Sequence, residues 1–152
     1  MGLYNFAFFQ VGAKAIVRKG NKILLLTTPG GHYDFPGGRM DESEVELELS
    51  EVLYREIQEE LGTSFKFEIG KVIFVSKRHY IKEKNYRVLV VFFDAEYQEG
   101  DIHLSEEHSM SSWVEPGSIL SKPEKFVSTD EYKQLRNYYQ LNFELSANKK
   151  DI

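Results

Sequence analysis

Glu56, Glu59 and Glu60 stand at i, i+3 and i+4 within the run Arg55-Glu56-Ile57-Gln58-Glu59-Glu60-Leu61-Gly62. On an α-helix this spacing places all three carboxylates on one face, one turn apart. Like charges so arranged repel, and nothing in their spacing stabilises a helix. A hard divalent cation resolves the conflict, because Mg²⁺ and Mn²⁺ take carboxylate oxygens as ligands. The plain alternative is a solvated acidic face. Pro36-Gly37-Gly38 forms a turn upstream, and Glu44 follows Gly38 after five residues. The neighbouring face of the same helix carries Leu53, Tyr54, Ile57 and Leu61, which would bury against a core and hold the carboxylates on a rigid element.

The elements that must position this face read as follows. Residues 8–18 are rich in β-branched and aromatic residues and predict a strand; Lys19-Gly20-Asn21 predicts a hairpin turn. Residues 22–27 predict a second strand, whose four consecutive apolar residues imply burial on both faces. Residues 32–35 form a short extended segment into the Gly-Gly turn. The helix falls within 43–61. Ser43 and Ser50 are both candidate caps, and Gly62 is placed to end it. Residues 65–76 and 87–97 predict two longer strands, with 77–86 as a basic, aromatic hairpin connection. Residues 100–109 form an acidic loop and 110–114 a last strand around Trp113, closed by Pro116-Gly117. Ser128-Thr129-Asp130-Glu131 has capping-box spacing ahead of a helical stripe of Tyr132, Leu135, Tyr139 and Phe143. That stripe packs on the sheet or on a partner chain, so a homodimer is one use for it. Periodicity alone gives one mixed α/β domain over 1–147, with 148–152 as a frayed tail.

Composition narrows the function. A length of 152 residues suits one domain with a real core, and 41% hydrophobic with 14% aromatic residues argues against disorder. The net charge of −5 argues against a broad DNA- or RNA-binding face. A bound cation would offset the acidic excess locally and admit an anionic substrate. These residues include no cysteine, which excludes disulfide, thiol and zinc-thiolate chemistry within them. Residues 1–10 carry no basic segment and no long apolar stretch, so a cytoplasmic protein without a membrane span is the expectation.

The pattern of Gly38, five residues and Glu44, then Arg55-Glu56-Ile57-x-Glu59-Glu60-x-Gly62 with Pro36-Gly37 ahead of it, resembles the box of the Nudix hydrolase family, the MutT-like pyrophosphohydrolases. Two features depart from that box. Ten residues rather than seven separate Glu44 from Arg55, and Thr63 stands where the family has a larger apolar residue. The insertion puts the role of Glu44 in question, since Glu46 or Glu48 could take its place.

The resemblance implies a Nudix-type α/β/α sandwich with a mixed β-sheet. It also implies Mg²⁺- or Mn²⁺-dependent hydrolysis of a nucleoside diphosphate linked to a group X, with a small nucleotide as partner. The implied metal ligands are the Gly38 carbonyl, Glu56, Glu59 and Glu60, with Glu59 either a ligand or the base that activates water. Arg55 would pair with the earlier box glutamate and brace the loop. Some relatives recruit a further carboxylate from the loop before the last strand, where Glu106 and Glu107 lie; a solvated acidic loop is the alternative. His108 beside them reads as a surface or core histidine more readily than as a base. Candidates for binding substrate are Arg39, Arg18, Arg87 and the cluster Lys77-Arg78-His79 for phosphate, and Tyr33, Phe35, Tyr80 and Trp113 for stacking on a base. Members acting on diadenosine polyphosphates carry a tyrosine some sixteen to eighteen residues past the box, where Tyr80 falls; this tilts X toward dinucleoside polyphosphates, with nucleoside triphosphates, nucleotide sugars and capped RNA open. The competing readings are a Nudix-fold module that senses a nucleotide without cleaving it, which the insertion favours, and a structural acidic domain.

Overall fold

A computed structural model describes residues 5–80 and 85–150. A seven-stranded mixed sheet forms its centre. The strands are β1 (Gln10–Lys19), β2 (Lys22–Thr27), β3 (Tyr33–Asp34), β4 (Gly37–Arg39), β5 (Lys66–Tyr80), β6 (Tyr86–Glu99) and β7 (Met110–Val114). Their main order is β3-β2-β1-β6-β5, with β4 paired to β1 and β7 to β2. The β1–β6 pair is parallel and every other pair is antiparallel. Among the described residues, three α-helices complete the fold: α1 (Leu49–Leu61), α2 (Pro116–Leu120) and α3 (Thr129–Lys150).

Strand alternation divides the core in two. Ala13, Ala15, Val17, Leu24 and Leu26 face Leu53, Ile57 and Leu61 of α1. Ile16, Ile23, Leu25, Val88, Val90 and Phe92 belong to the opposite layer, with Leu135 of α3. The four apolar residues of β2 are all buried because successive side chains enter opposite cores. This is the α/β/α sandwich expected. The part of the helical stripe that falls on Tyr132, Leu135 and Tyr139 packs on the sheet layer. The Phe143 side chain lies outside the described residues, as do residues 151 and 152 of the expected tail; α3 itself continues to Lys150.

Several boundaries differ from the sequence reading. Neither Ser43 nor Ser50 caps α1. Residues Glu42–Glu44 form a separate 3-10 turn, and the Ser43 hydroxyl donates to Asp41. The long helix begins after Glu48, whose N–H donates to Glu51 at 2.9 Å. The extra box residues are taken up in the exposed turn 45–48, between these two pieces. Gly62 ends α1 with φ +90 and donates its N–H to Gln58 at 3.0 Å. Lys77, Arg78 and His79 lie inside β5, paired with β6, rather than in a connection; residues 81–84 of that expected connection lie outside the described residues. Pro116 opens a helix instead of closing the last strand, because a proline at the first helical position loses no needed hydrogen bond. Ser128 does cap α3, accepting the Glu131 N–H at 3.0 Å, but the Glu131 carboxylate bonds Arg78 in β5.

Candidate active site

Gly37 and Gly38, expected as a turn, lie instead in β4, paired with β1, and α1 packs against this strand. Gly37 sits at φ +131, and a Cβ there would collide with the Ala13 backbone of β1, so this crossing requires glycine. A Cβ on Gly38 would collide with the Glu56 carboxylate. Glu56 therefore lies against the Gly38 backbone, while Glu60 Oε1 accepts the Gly37 N–H at 3.3 Å. Burying the apolar face of α1 thus brings two of its carboxylates to β4.

Arg55 ties the 3-10 turn Glu42–Glu44 to the helix. Its Nε and Nη2 donate to the two oxygens of Glu44, each at 2.6 Å. The same guanidinium reaches Glu56 at 2.8 Å and Glu59 at 3.1 Å. The bidentate bond to Arg55 holds the Glu44 carboxyl below the usual carboxylate range. The insertion therefore does not displace Glu44: its partner is Arg55, whereas Glu46 and Glu48 stand exposed.

A cavity of about 410 Å³ opens beside this junction. Gly38, Glu56, Glu60 and Glu107 form its acidic wall; Lys14, Asp34, Arg78 and His108 form its floor; Arg39, Tyr80, Tyr86 and Val88 form a third side. Glu59 does not line it. Its side chain is 61% exposed and held by Arg55. Among the described residues, no three acidic or histidine side chains are gathered closely enough to enclose a metal ion as they stand. The donor chemistry nevertheless suits a hard cation. Glu60 Oε2 is buried and lacks a hydrogen-bond partner, and burial lifts the Glu60 carboxyl to about 7. Burial likewise raises Glu56. A cation at this wall would relieve both.

The floor is an ionic network drawn from five separate segments. Lys14 Nζ lies 3.0 Å from Asp34 and donates to the carbonyl oxygens of Phe35 and Gly37. Arg78 bonds Glu131 twice, at 2.6 and 2.9 Å, and Asp34 at 3.1 Å. His108 Nε2 stands 3.0 Å from Asp34. Burial alone would raise the Asp34 carboxyl, but Lys14, His108 and Arg78 together hold it well below the usual range. Sequence reasoning missed Lys14, Asp34, Tyr86 and Glu131. Lys14 did carry a signal, as a lone charge within an otherwise apolar strand; the others carried none.

Of the expected substrate-binding residues, Arg39 and Tyr80 reach the cavity. Tyr80 stacks on Tyr86 with ring centroids 5.0 Å apart, and Arg39 lies 5.2 Å from the Tyr86 ring. Arg78 also lines the cavity, but as a buried member of the floor network, not as a free phosphate ligand. Phe35 is corrected outright: it is 0% exposed and meets Phe92 edge to face in the core. Tyr33 packs on Phe126, and Trp113 packs on Tyr97 with Lys19 near both rings. Arg18 is paired with Asp94, and Arg87 lies over Phe9, both away from the cavity. Of the loop carboxylates, Glu107 reaches the acidic wall and Glu106 does not.

An acidic helix packed on the strand of Gly37 and Gly38, within a mixed sheet covered by helices on both faces, defines an α/β/α sandwich. The chain belongs to the Nudix family: the NUDIX domain model matches residues 8–137. A MutT protein from Methanosarcina mazei superimposes with TM-score 0.71 at 25% identity, over 88% of this chain and 95% of that one. A C. elegans Ap4A hydrolase gives TM-score 0.65 at 20% identity, over 89% and 98%. A Streptococcus suis ADP-ribose pyrophosphatase gives 0.61 at 22%, over 88% and 91%. No curated protein matches. Membership of the family makes pyrophosphate-bond hydrolysis the class of activity. No helix among the described residues is long and apolar enough to cross a membrane.

Proposed function

We propose that this chain is a divalent-metal-dependent pyrophosphohydrolase that cleaves a nucleoside diphosphate linked to a further group X. The observation that carries the reading is the meeting of Gly38, Glu56, Glu60 and Glu107 in the lining of one cavity that also carries Arg39, Tyr80 and Tyr86. The Gly38 carbonyl, Glu56 and Glu60 would hold the metal, with Glu107 and Glu59 as further carboxylates within the same neighbourhood. When bound, Mg²⁺ or Mn²⁺ supplies charge to the phosphoryl oxygens and lowers the pKa of the attacking water. Arg55 holds Glu44, Glu56 and Glu59 in register and so fixes the acidic wall. Glu59 would act as the base that activates water only on release from Arg55, since its carboxylate is bonded there and lies outside the cavity lining. Arg39 would meet a phosphate, and Tyr80 with Tyr86 would offer ring faces to a planar base.

Dinucleoside polyphosphates are the first choice of substrate to test, because Tyr80 lines the cavity and one structural neighbour is an Ap4A hydrolase. The sensing alternative loses its main support, since the insertion leaves the Glu44–Arg55 clamp whole. The test is incubation of the purified protein with Mg²⁺, and separately Mn²⁺, against diadenosine tetraphosphate, ADP-ribose, nucleotide sugars, nucleoside triphosphates and capped RNA. Chromatography of the products should show one member cleaved at its pyrophosphate and spared by Glu60→Gln. Tight binding of a member without turnover would instead favour the sensor.

A further inference from the structure

Two buried atoms in the cavity lack hydrogen-bond partners and face one another: Glu60 Oε2 and His108 Nδ1, 3.6 Å apart. The remainder of each group is anchored. Glu60 Oε1 takes the Gly37 N–H. His108 Nε2 is bound to Asp34, which is itself fixed by the Phe35 N–H at 2.9 Å, by Lys14 and by Arg78. Arg78 is bonded in turn to Glu131 in the first turn of α3. A chain of contacts therefore runs from the start of α3 through β5, β3 and the loop before β7 to a carboxylate of α1.

The last torsion of a glutamate is broad and does not by itself fix the carboxylate plane. The single bond from Gly37, at 3.3 Å, is a weak hold on one oxygen. The imidazole ring is the group standing at the other. We propose that His108 is a positioning residue that sets the orientation of the Glu60 carboxylate for a divalent cation. This deepens the function proposed for the site and rests on Glu60 being a metal ligand. In metal sites generally, groups just outside the ligand set fix the direction of a ligating carboxylate; here the ring stands 3.6 Å from Oε2, near enough to close to a hydrogen bond when the carboxylate turns. The α1 helix supplies Glu60 as a donor, and His108 in the loop before β7 aims it.

The test is direct binding of Mn²⁺ to the intact chain, followed by electron paramagnetic resonance without any substrate, for wild type, His108→Gln and His108→Asn. The Gln amide can stay near Asp34 while removing the atom that faces Glu60; the Asn amide restores a polar atom at the Nδ1 position. The expected result is a Kd weakened about 10- to 100-fold in His108→Gln, with His108→Asn within about threefold of wild type. Circular dichroism would confirm the fold of each. Unchanged Mn²⁺ affinity in His108→Gln would overturn the proposal. So would a weakened His108→Asn, which would assign the effect to the Asp34 contact alone and decides the matter even if the Gln chain fails to fold. Failure of the wild type to bind Mn²⁺ would overturn the metal-dependent reading together with this one, whereas tight wild-type binding with insensitive variants would overturn only the role of His108.

Discussion

Replacing Arg78 with methionine should strip the cavity floor of its central cation while keeping the aliphatic bulk of the side chain. Arg78 is buried, Glu131 is fully buried, and the two share two charge-assisted bonds. After the substitution Asp34 keeps Lys14 and His108, but Glu131 loses both bonds to the guanidinium and stays within the core. Breaking a buried pair from one side costs about 3–5 kcal/mol, because the remaining charge is left uncompensated. For a chain of this length that corresponds to a fall in Tm of roughly 6–20 °C. The double variant Arg78→Met/Glu131→Leu removes both charges and should recover most or all of the loss, since apolar replacement of a whole buried pair is often neutral or stabilising. Thermal unfolding followed by circular dichroism reads both values. A single variant that melts within a degree or two of wild type, or a double variant as unstable as the single, would refute the claim that this pair is buried and mutually dependent.

Gly38→Ala should disable the site while leaving the fold, because its Cβ would displace the Glu56 carboxylate; Mn²⁺ binding should fall at least about tenfold, with little change in Tm. Burial lifts the Glu60 carboxyl from its ordinary 4.5 to about 7, with Asp34 adding to the shift and Lys14 and His108 opposing it. Between those values the folded chain holds a proton that the unfolded chain releases. Measured by urea unfolding in a chelator, the Glu60 contribution to stability should therefore decline as pH rises from about 4.5 to 7, by on the order of 3 kcal/mol, and Glu60→Gln should abolish that component. If Tyr86 is part of the wall that receives a planar base, Tyr86→Ala should raise KM for the cleaved nucleotide about tenfold and change kcat less.

The acidic helix is legible in the sequence because its signal is local: three glutamates, an arginine and bounding glycines within one short segment, opposite an apolar face. The alternating cores are legible for the same reason, since β2 reads as a continuous apolar run. The start of α1 is not, because glutamates rather than serines bond the backbone at 41 and 48, and side-chain reach from a third position is invisible to a cap rule based on hydroxyls. Arg78 looks like a surface charge in the sequence because the carboxylates that neutralise it are 44 and 53 residues away in the chain. Phe35 and Trp113 could stack on a ligand or on the core with equal ease by type alone; the fold sets Phe35 against Phe92 and Trp113 against Tyr97. His108 reads as an ordinary histidine for want of Asp34, which the sheet brings to it across 74 residues.

The most direct test of the central claim is the Mg²⁺-dependent turnover of Glu56→Gln and Glu60→Gln beside wild type, on whichever nucleotide of the panel is cleaved. Both variants should stay folded and lose at least about 100-fold in kcat, since each removes a carboxylate from the wall that fixes charge at the reacting phosphate. Turnover retained within a few fold by both variants would contradict the assignment and move the chemistry away from this wall.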